Sequence, residues 1–354
     1  MWVDSQIVME DLEVFSNLDY LQWEKLRNKR ILITGATGLI GSTLLKALMY
    51  VNKSKNLKLS LVALVRDKDK AESKFCDILR DTKELSFIVG QVEDLPDNIG
   101  KIDYIIHGAS PTASDYFMKR PVETIKTAII GTMNLLELAK EKQVDGMVYL
   151  SSMEIYGSPR NEEKLSEKDV GYIDPLVVRN CYPEAKRQCE AMCVAYANEY
   201  SVPVMSARLA QTFGPGVDAQ DKRVFAEFAR CAMNGRDIEL LTDGSSKRCY
   251  LYTMDAVSGI LTILLKGTAG KAYNVANPDT YCSVYEMAKE VSRSLANDSI
   301  SVRILNDIEA QKKYPPPHFL NLDVEALLQL GWKPMRNLLE MYRRMIEEMK
   351  EDDN

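Results

Sequence analysis

The sequence predicts an α/β protein in which a doubly wound parallel sheet carries a smaller, sequence-discontinuous second region. Three observations point to it. Uninterrupted Val/Ile/Leu runs recur between longer helical patterns, as strands covered by helices on both faces require. The first of these runs passes at once into GATGLIG, a glycine-spaced turn that opens a helix. After about residue 209 the alternation loosens into Gly/Pro/Asp-rich stretches such as FGPGVDAQDKR and LTDGSSKR.

Residues 1 to 29 mix polar and apolar positions and read as a helical extension. ILITG (31 to 35) is a buried strand and LIGSTLLKALMYV a helix. LSLVALV (59 to 65) is the second strand, followed by one charged helical stretch, RDKDKAESKFCDILRD. SFIVG (86 to 90) and DYIIHGA (103 to 109) are strands. PVETIKTAIIGTMNLLELAKE is a long helix with Pro121 in its first turn, where the missing N–H has no partner to lose. GMVYLSS is a strand that empties into MEIYG. The pattern from Tyr182 to Tyr200 is a helix, and VPVMSARL is a further strand.

The chain has 354 residues, of which 46% are hydrophobic and 27% charged, the composition of an ordinary globular protein. A net charge of −6 argues against a broad nucleic-acid-binding face. The start lacks a basic segment leading into an apolar one, so no signal peptide is expected. The longest apolar stretch, LYTMDAVSGILTILL, is interrupted by Asp255 and Gly259 and is too short for a bilayer span. No membrane association and a cytoplasmic location follow as expectations. Seven cysteines without C-x-x-C spacing and only two histidines, His107 and His318, predict reduced thiols and no metal site.

In GATGLIG, Gly35, Gly38 and Gly41 would let the backbone approach a pyrophosphate. The helix start offers unpaired N–H groups and the positive end of a dipole. This is a Rossmann-like cofactor site, with Thr37, Leu39 and Ile40 as its other contacts on the turn. Ala109 and Ser110 would contribute from the loop after the fourth strand. NAD is the expected cofactor. At the end of the second strand Asp67 can serve the ribose of NAD, whereas Arg66 could pair with the 2′-phosphate of NADP, and the sequence leaves that choice open. The division expected is an extension (1–29), a dinucleotide-binding domain (30–208 plus about 250–276) and a substrate region (209–249 plus 277–354).

Tyr182 and Lys186, four apart in YPEAK, share one helix face. A free tyrosine, with a pKa near ~10, is a poor base at neutral pH. A neighbouring ammonium and a positive nicotinamide favour the phenolate. Ser152, at a strand end, can hydrogen-bond the alcohol being oxidised.

With these motifs the chain resembles the extended short-chain dehydrogenases/reductases of the NAD-dependent epimerase/dehydratase family, from about residue 30 to 345. HGASPTASDYF, LSSMEIYG, RNCYPEAKRQCEAMCVAYA, ARLAQTFGPG, DGSSKRCYLYTMDAV and LGWKP carry the likeness. It is strongest to the UDP-glucuronate decarboxylase (UDP-xylose synthase) branch. The resemblance implies a nucleotide-sugar substrate, a 4-keto intermediate and a homodimer built through helices 121–142 and 182–200. It also gives Glu154 a role: dehydratases place an acid and then a base after the catalytic Ser or Thr, whereas this chain has Met153 and Glu154. Decarboxylation of UDP-glucuronate fits best, 4-epimerisation of another nucleotide sugar comes second and 4,6-dehydration third. A non-catalytic dinucleotide sensor is the rival from another class. By the same resemblance Lys126 lies near the sugar carboxylate, Arg248 near the diphosphate or sugar, and Gln211 and Arg223 contact substrate. Gly216, Ala128, and the Phe319–Leu320 pair in place of an arginine depart from the decarboxylase pattern.

Overall fold

The computed structural model describes residues 5–305 and 317–352. The first six strands are β1 (Arg30–Thr34), β2 (Ser60–Val65), β3 (Leu85–Val89), β4 (Tyr104–His107), β5 (Gly146–Ser152) and β6 (Val204–Leu209). They are followed by β7 (Gln211–Phe213), β8 (Ile238–Leu240), β9 (Lys247–Tyr252), β10 (Ala272–Val275), β11 (Asn277–Ser283), β12 (Val302–Ile304) and β13 (Phe319–Leu320). Seven of them form one sheet in the order β10-β6-β5-β4-β1-β2-β3, and every neighbouring pair is parallel. The chain winds outward from β1 to β3, crosses back to lay β4 beside β1, and winds outward on the other side. That reversal opens a crevice beyond the carboxyl ends of β1 and β4, where sheets of this type bind ligands.

Side-chain alternation divides the interior in two. Ile31 and Ile33 of β1 belong to the core shared with helices Leu39–Lys55 and Thr253–Lys266, while Leu32 belongs to the core under helices Pro121–Lys142 and Cys181–Tyr200. On helix Pro121–Lys142 the buried positions include Thr124, Ala128, Thr132, Leu135 and Ala139, a single stripe at helical spacing. The apolar stretch ending in ILTILL is the tail of β9 and a helix buried along its length before Lys266. Among the described residues no helix is long and apolar enough to cross a membrane, and no group of three or more His, Cys, Asp or Glu could hold a metal ion.

The charged stretch after β2 is not one helix. Lys68–Lys74 and Cys76–Asp81 are separate helices with Phe75 between them (φ −114°, ψ 19°). Phe75 is buried and stacks on Phe87 of β3, with ring centroids 6.1 Å apart; burying that ring takes precedence over helical continuity. Toward the N-terminus, helix Gln6–Ser16 packs Val8, Leu12 and Phe15 into the core, in contact with helix Leu39–Lys55 and with the last helix, Leu338–Asp352. Its Asp11 is buried against Arg344 (3.0 Å) and Arg336 (3.5 Å).

A second sheet is built around β9, which pairs antiparallel with β11 and parallel with β7 and β13. It gathers Gln211, Arg248 and the segment entering β13 onto one small platform. Strands β8 and β12 form a separate parallel pair.

Candidate active site

The turn after β1 and the loop after β4 meet backbone to backbone. Gly35 has φ +71°, and a Cβ there would lie 2.6 Å from the carbonyl carbon of Gly108 and 2.8 Å from the nitrogen of Ala109. A Cβ on Gly41 would collide with the carbonyl oxygen of Gly35. The two loops are also tied by hydrogen bonds: Gly108 N–H donates to the Thr34 carbonyl and Ala109 N–H to Thr34 Oγ1, both at 3.1 Å. Helix Leu39–Lys55 starts at Gly38 with no side-chain cap. Its first-turn N–H groups therefore face the crevice with the positive end of the helix dipole, a cradle that fits a pyrophosphate. Thr37 lies on this turn, its carbonyl accepting from Lys74 Nζ at 3.0 Å, and Leu39 and Ile40 open the helix. Ser110 Oγ donates to the Pro111 carbonyl at 3.2 Å. Past β2, Arg66 and Asp67 are both exposed, and Asp67 caps helix Lys68–Lys74 by accepting from Lys70 N–H at 2.9 Å.

Beneath this junction His107 sits in β4 directly opposite Thr34 of β1. Its Nε2 is 3.2 Å from Thr132 Oγ1, and the Thr132 hydroxyl hydrogen is committed to Cys189 Sγ at 3.3 Å. Nε2 must therefore be the donor, which leaves Nδ1 to accept from the Thr34 hydroxyl at 2.7 Å. The Cys189 thiol passes the direction on to the Ala128 carbonyl at 3.2 Å. Burial, helped by the charge of Lys186, pushes the imidazole down to about 3, so this ring stays neutral. The chain of bonds links the loop after β4 to the helix bearing Tyr182 and Lys186.

Ser152 ends β5, while Tyr182 and Lys186 project from helix Cys181–Tyr200, which packs on β5 and β6. Lys186 is buried, donates to the Leu150 carbonyl at 2.6 Å, and lies 5.6 Å from the centre of the Tyr182 ring. Desolvation pulls its ammonium down to about 8. Tyr182 stacks on Phe117 with centroids 4.4 Å apart and planes at 9°. Burial drives its phenol well above the ordinary value and the charge of Glu154 adds to that, while a hydrogen bond from Ser152 and the charge of Arg179 oppose it.

Glu154 lies on a single 3-10 turn, Met153–Tyr156, whose start is capped by Ser152 Oγ accepting the Glu154 N–H at 3.2 Å. The turn buries Met153 and leaves the Glu154 carboxylate close enough to Tyr182 for its charge to raise the phenol. There Arg179 grips it with both terminal nitrogens, Nη2 donating to Oε1 at 3.0 Å and Nη1 to Oε2. Arg179 was not singled out from the sequence, although it stands three residues before Tyr182. Behind the turn lies a buried polar network. Arg208 of β6 donates to Glu190 (2.7 to 3.1 Å) and to Tyr156 Oη (2.9 Å), and Ser151 donates to the same Glu190 at 2.5 Å.

On the platform of the second sheet, Arg248 Nη1 donates to Gln211 Oε1 at 3.3 Å and Nη2 stands 3.4 Å from His318 Nε2. The Nε of Arg248 is buried without a hydrogen-bond partner among the described residues. Thus Gln211 and Arg248 are brought together, and His318 joins them. Arg223 donates to Asp221, two residues before it, at 2.6 and 3.0 Å. Lys126 is exposed on helix Pro121–Lys142.

Comparison with known proteins agrees with this geometry. Residues 31–276 match the NAD dependent epimerase/dehydratase family. UDP-glucuronic acid decarboxylase 5 of Arabidopsis thaliana is 30% identical over 329 residues, covering 91% of this chain and 90% of the relative. Two solved structures share the fold. A UDP-N-acetylglucosamine 4-epimerase of Methanobrevibacter ruminantium M1, in complex with UDP-N-acetylmuramic acid, aligns with a TM-score of 0.77 at 18% identity over 92% of this chain and 99% of its own. A dTDP-glucose 4,6-dehydratase of Bacillus anthracis, in complex with NAD, aligns at 0.72 and 19% over 92% and 97%. With more than half of its length matched, and a relative at 30% identity along nearly the whole of both chains, this chain belongs to the NAD dependent epimerase/dehydratase family.

Proposed function

We propose that the chain decarboxylates UDP-glucuronate to UDP-xylose through a transient 4-ketone. The observation that carries this reading is the turn after β5. Glu154 is carried on it, close enough for its charge to raise the Tyr182 phenol, and the position between Ser152 and Glu154 is a buried methionine that cannot protonate a departing hydroxyl. Similarity to UDP-glucuronic acid decarboxylases along the chain supports it. NAD fits the glycine cradle. In this reading residues 30–208 with 250–276 hold it, and 209–249 with 277–354 hold the nucleotide sugar. Two copies pair through helices Pro121–Lys142 and Cys181–Tyr200, which leave Val122, Ile125, Met133 and Val194 exposed.

Bound nicotinamide would supply a hydride acceptor and later return that hydride. Tyr182, hydrogen-bonded to Ser152, removes the proton from the C4 hydroxyl. The ketone so formed is β to the C6 carboxylate, and loss of CO2 leaves an enolate that Ser152 and Tyr182 can hydrogen-bond at its oxygen. Glu154 orients the ring or a water for protonation at C5. Lys186 keeps a positive charge near the phenol and orders the Leu150 carbonyl at the strand end. The test is incubation of the purified protein with UDP-glucuronate and a panel of other nucleotide sugars, read by mass spectrometry. Loss of CO2 from UDP-glucuronate is the expected result. An inert UDP-glucuronate with an isobaric product from another sugar would replace this reading by 4-epimerisation.

The pH profile tests the role of Lys186. Its pKa in the folded protein is about 8, so kcat is expected to fall as pH rises through 8 and the ammonium is lost. In Lys186→Arg the residual activity should lose that alkaline limb, because a guanidinium stays charged in this range. An unchanged limb in the variant would assign it to another group.

A further inference from the structure

Arg179 and Glu154 are placed for more than mutual neutralisation. The pair is bidentate, yet neither side chain is sealed from solvent: 36% of Arg179 and 28% of Glu154 remains exposed. The guanidinium lies over the Phe117 ring, 5.6 Å from its centre, and Phe117 stacks in turn on the Tyr182 ring. Both charges are close enough to Tyr182 to act on its phenol, in opposite directions.

A substrate oxidised at C4 must put its C4 hydroxyl at Tyr182. In a hexuronate the C6 carboxyl carbon is only two C–C bonds from C4, about 2.5 Å away. A guanidinium already arranged as a fork for a carboxylate, with Glu154 in it, stands on the Phe117 ring that stacks on Tyr182. Two carboxylates do not share one fork at no cost, since like charges repel. Lys126, the cation expected from resemblance to meet the sugar carboxylate, stands exposed on helix Pro121–Lys142, outside this ion pair.

Resting on the decarboxylase reading above, we infer that Arg179 is the receptor for the C6 carboxylate of the substrate and Glu154 its internal stand-in, which the substrate displaces. The exchange makes binding selective for an acidic sugar over a neutral hexose. It also releases the Glu154 carboxylate beside the ring only when a substrate that can lose CO2 is in place. A neutral sugar leaves Glu154 clamped.

The test is calorimetric titration of NAD-loaded protein in a Tyr182→Phe background, where turnover is blocked, with UDP-glucuronate, UDP-glucose and UDP. Adding Arg179→Gln should weaken UDP-glucuronate roughly ten- to a hundredfold, the worth of a charge-assisted pair, with little change for UDP-glucose or UDP. Arg179→Lys, which keeps the charge without the fork, should fall between and covers the case in which the glutamine variant fails to fold. Adding Glu154→Gln removes the internal competitor and should tighten UDP-glucuronate severalfold while leaving UDP-glucose unchanged. A merely structural ion pair gives no such tightening. Equal weakening of both sugars by the Arg179 variants, or weaker UDP-glucuronate binding in Glu154→Gln, overturns the exchange. If the parent nevertheless turns over UDP-glucuronate, only the exchange is removed. If UDP-glucuronate is neither turned over nor preferred to UDP-glucose, both readings fall.

Discussion

Tyr182→Phe is expected to lower kcat by about 10³-fold while NAD and nucleotide sugar still bind. General-base catalysis by a positioned side chain is worth about 10²–10⁴, and here the phenol oxygen is the group nearest the reacting hydroxyl in the proposed complex. The substitution should be structurally mild. The ring is buried and stacked on Phe117, and a phenylalanine keeps that contact. Only the hydrogen bond with Ser152 is lost. Steady-state kinetics with the preferred substrate, alongside titration with NAD, separates the two effects. A kcat within tenfold of wild type would remove Tyr182 from the chemistry.

Glu190→Ala should cause the largest loss of stability, about 3–5 kcal/mol, because it strands Arg208 as a buried, unpaired charge. Arg208 makes three hydrogen bonds to Glu190 in the interior between β6 and helix Cys181–Tyr200, and Ser151 donates to the same carboxylate. Urea unfolding followed by circular dichroism measures the loss. Glu190→Leu combined with Arg208→Met should recover most of it, since removing both charges avoids the unpaired state. Turnover should not recover with it. Ser151 precedes Ser152, the proposed partner of the substrate alcohol, and without Glu190 its hydroxyl loses its partner. A double variant as unstable as the single one would show that packing rather than charge dominates here.

The alternation of strands and helices was readable because it rests on local periodicity. So was the glycine turn, where Gly35 and Gly41 face backbone that admits no Cβ. Tyr182 and Lys186 were readable because helical spacing alone puts them on one face. Other features depend on contacts that no local pattern reveals. Phe75 interrupts the helix after β2 because Phe87, a strand away, offers its ring a place. The role of Arg179 depends on how the turn after β5 folds back, and that of His107 on the register between β1 and β4. Gln211, Arg248 and His318 meet only because β9 accepts partners 37 and 70 residues away in sequence. Arg223, expected at the nucleotide, donates to Asp221 of its own D-K-R triplet.

The buried Asp11 ties the first described helix to the last. Its cations, Arg336 and Arg344, are the 325th and 333rd residues after it, and Arg344 also donates to the carbonyl of Ile7 at 2.7 Å. During synthesis, helix Gln6–Ser16 leaves the ribosome long before either arginine exists. Its apolar face can settle on helix Leu39–Lys55 early, but Asp11 stays without its arginines until residues 336 and 344 have been made. The fold is thus fastened by a clasp that closes only once residue 344 has been made. A ribosome stalled short of residue 336 would display an unfinished core that quality-control machinery can recognise.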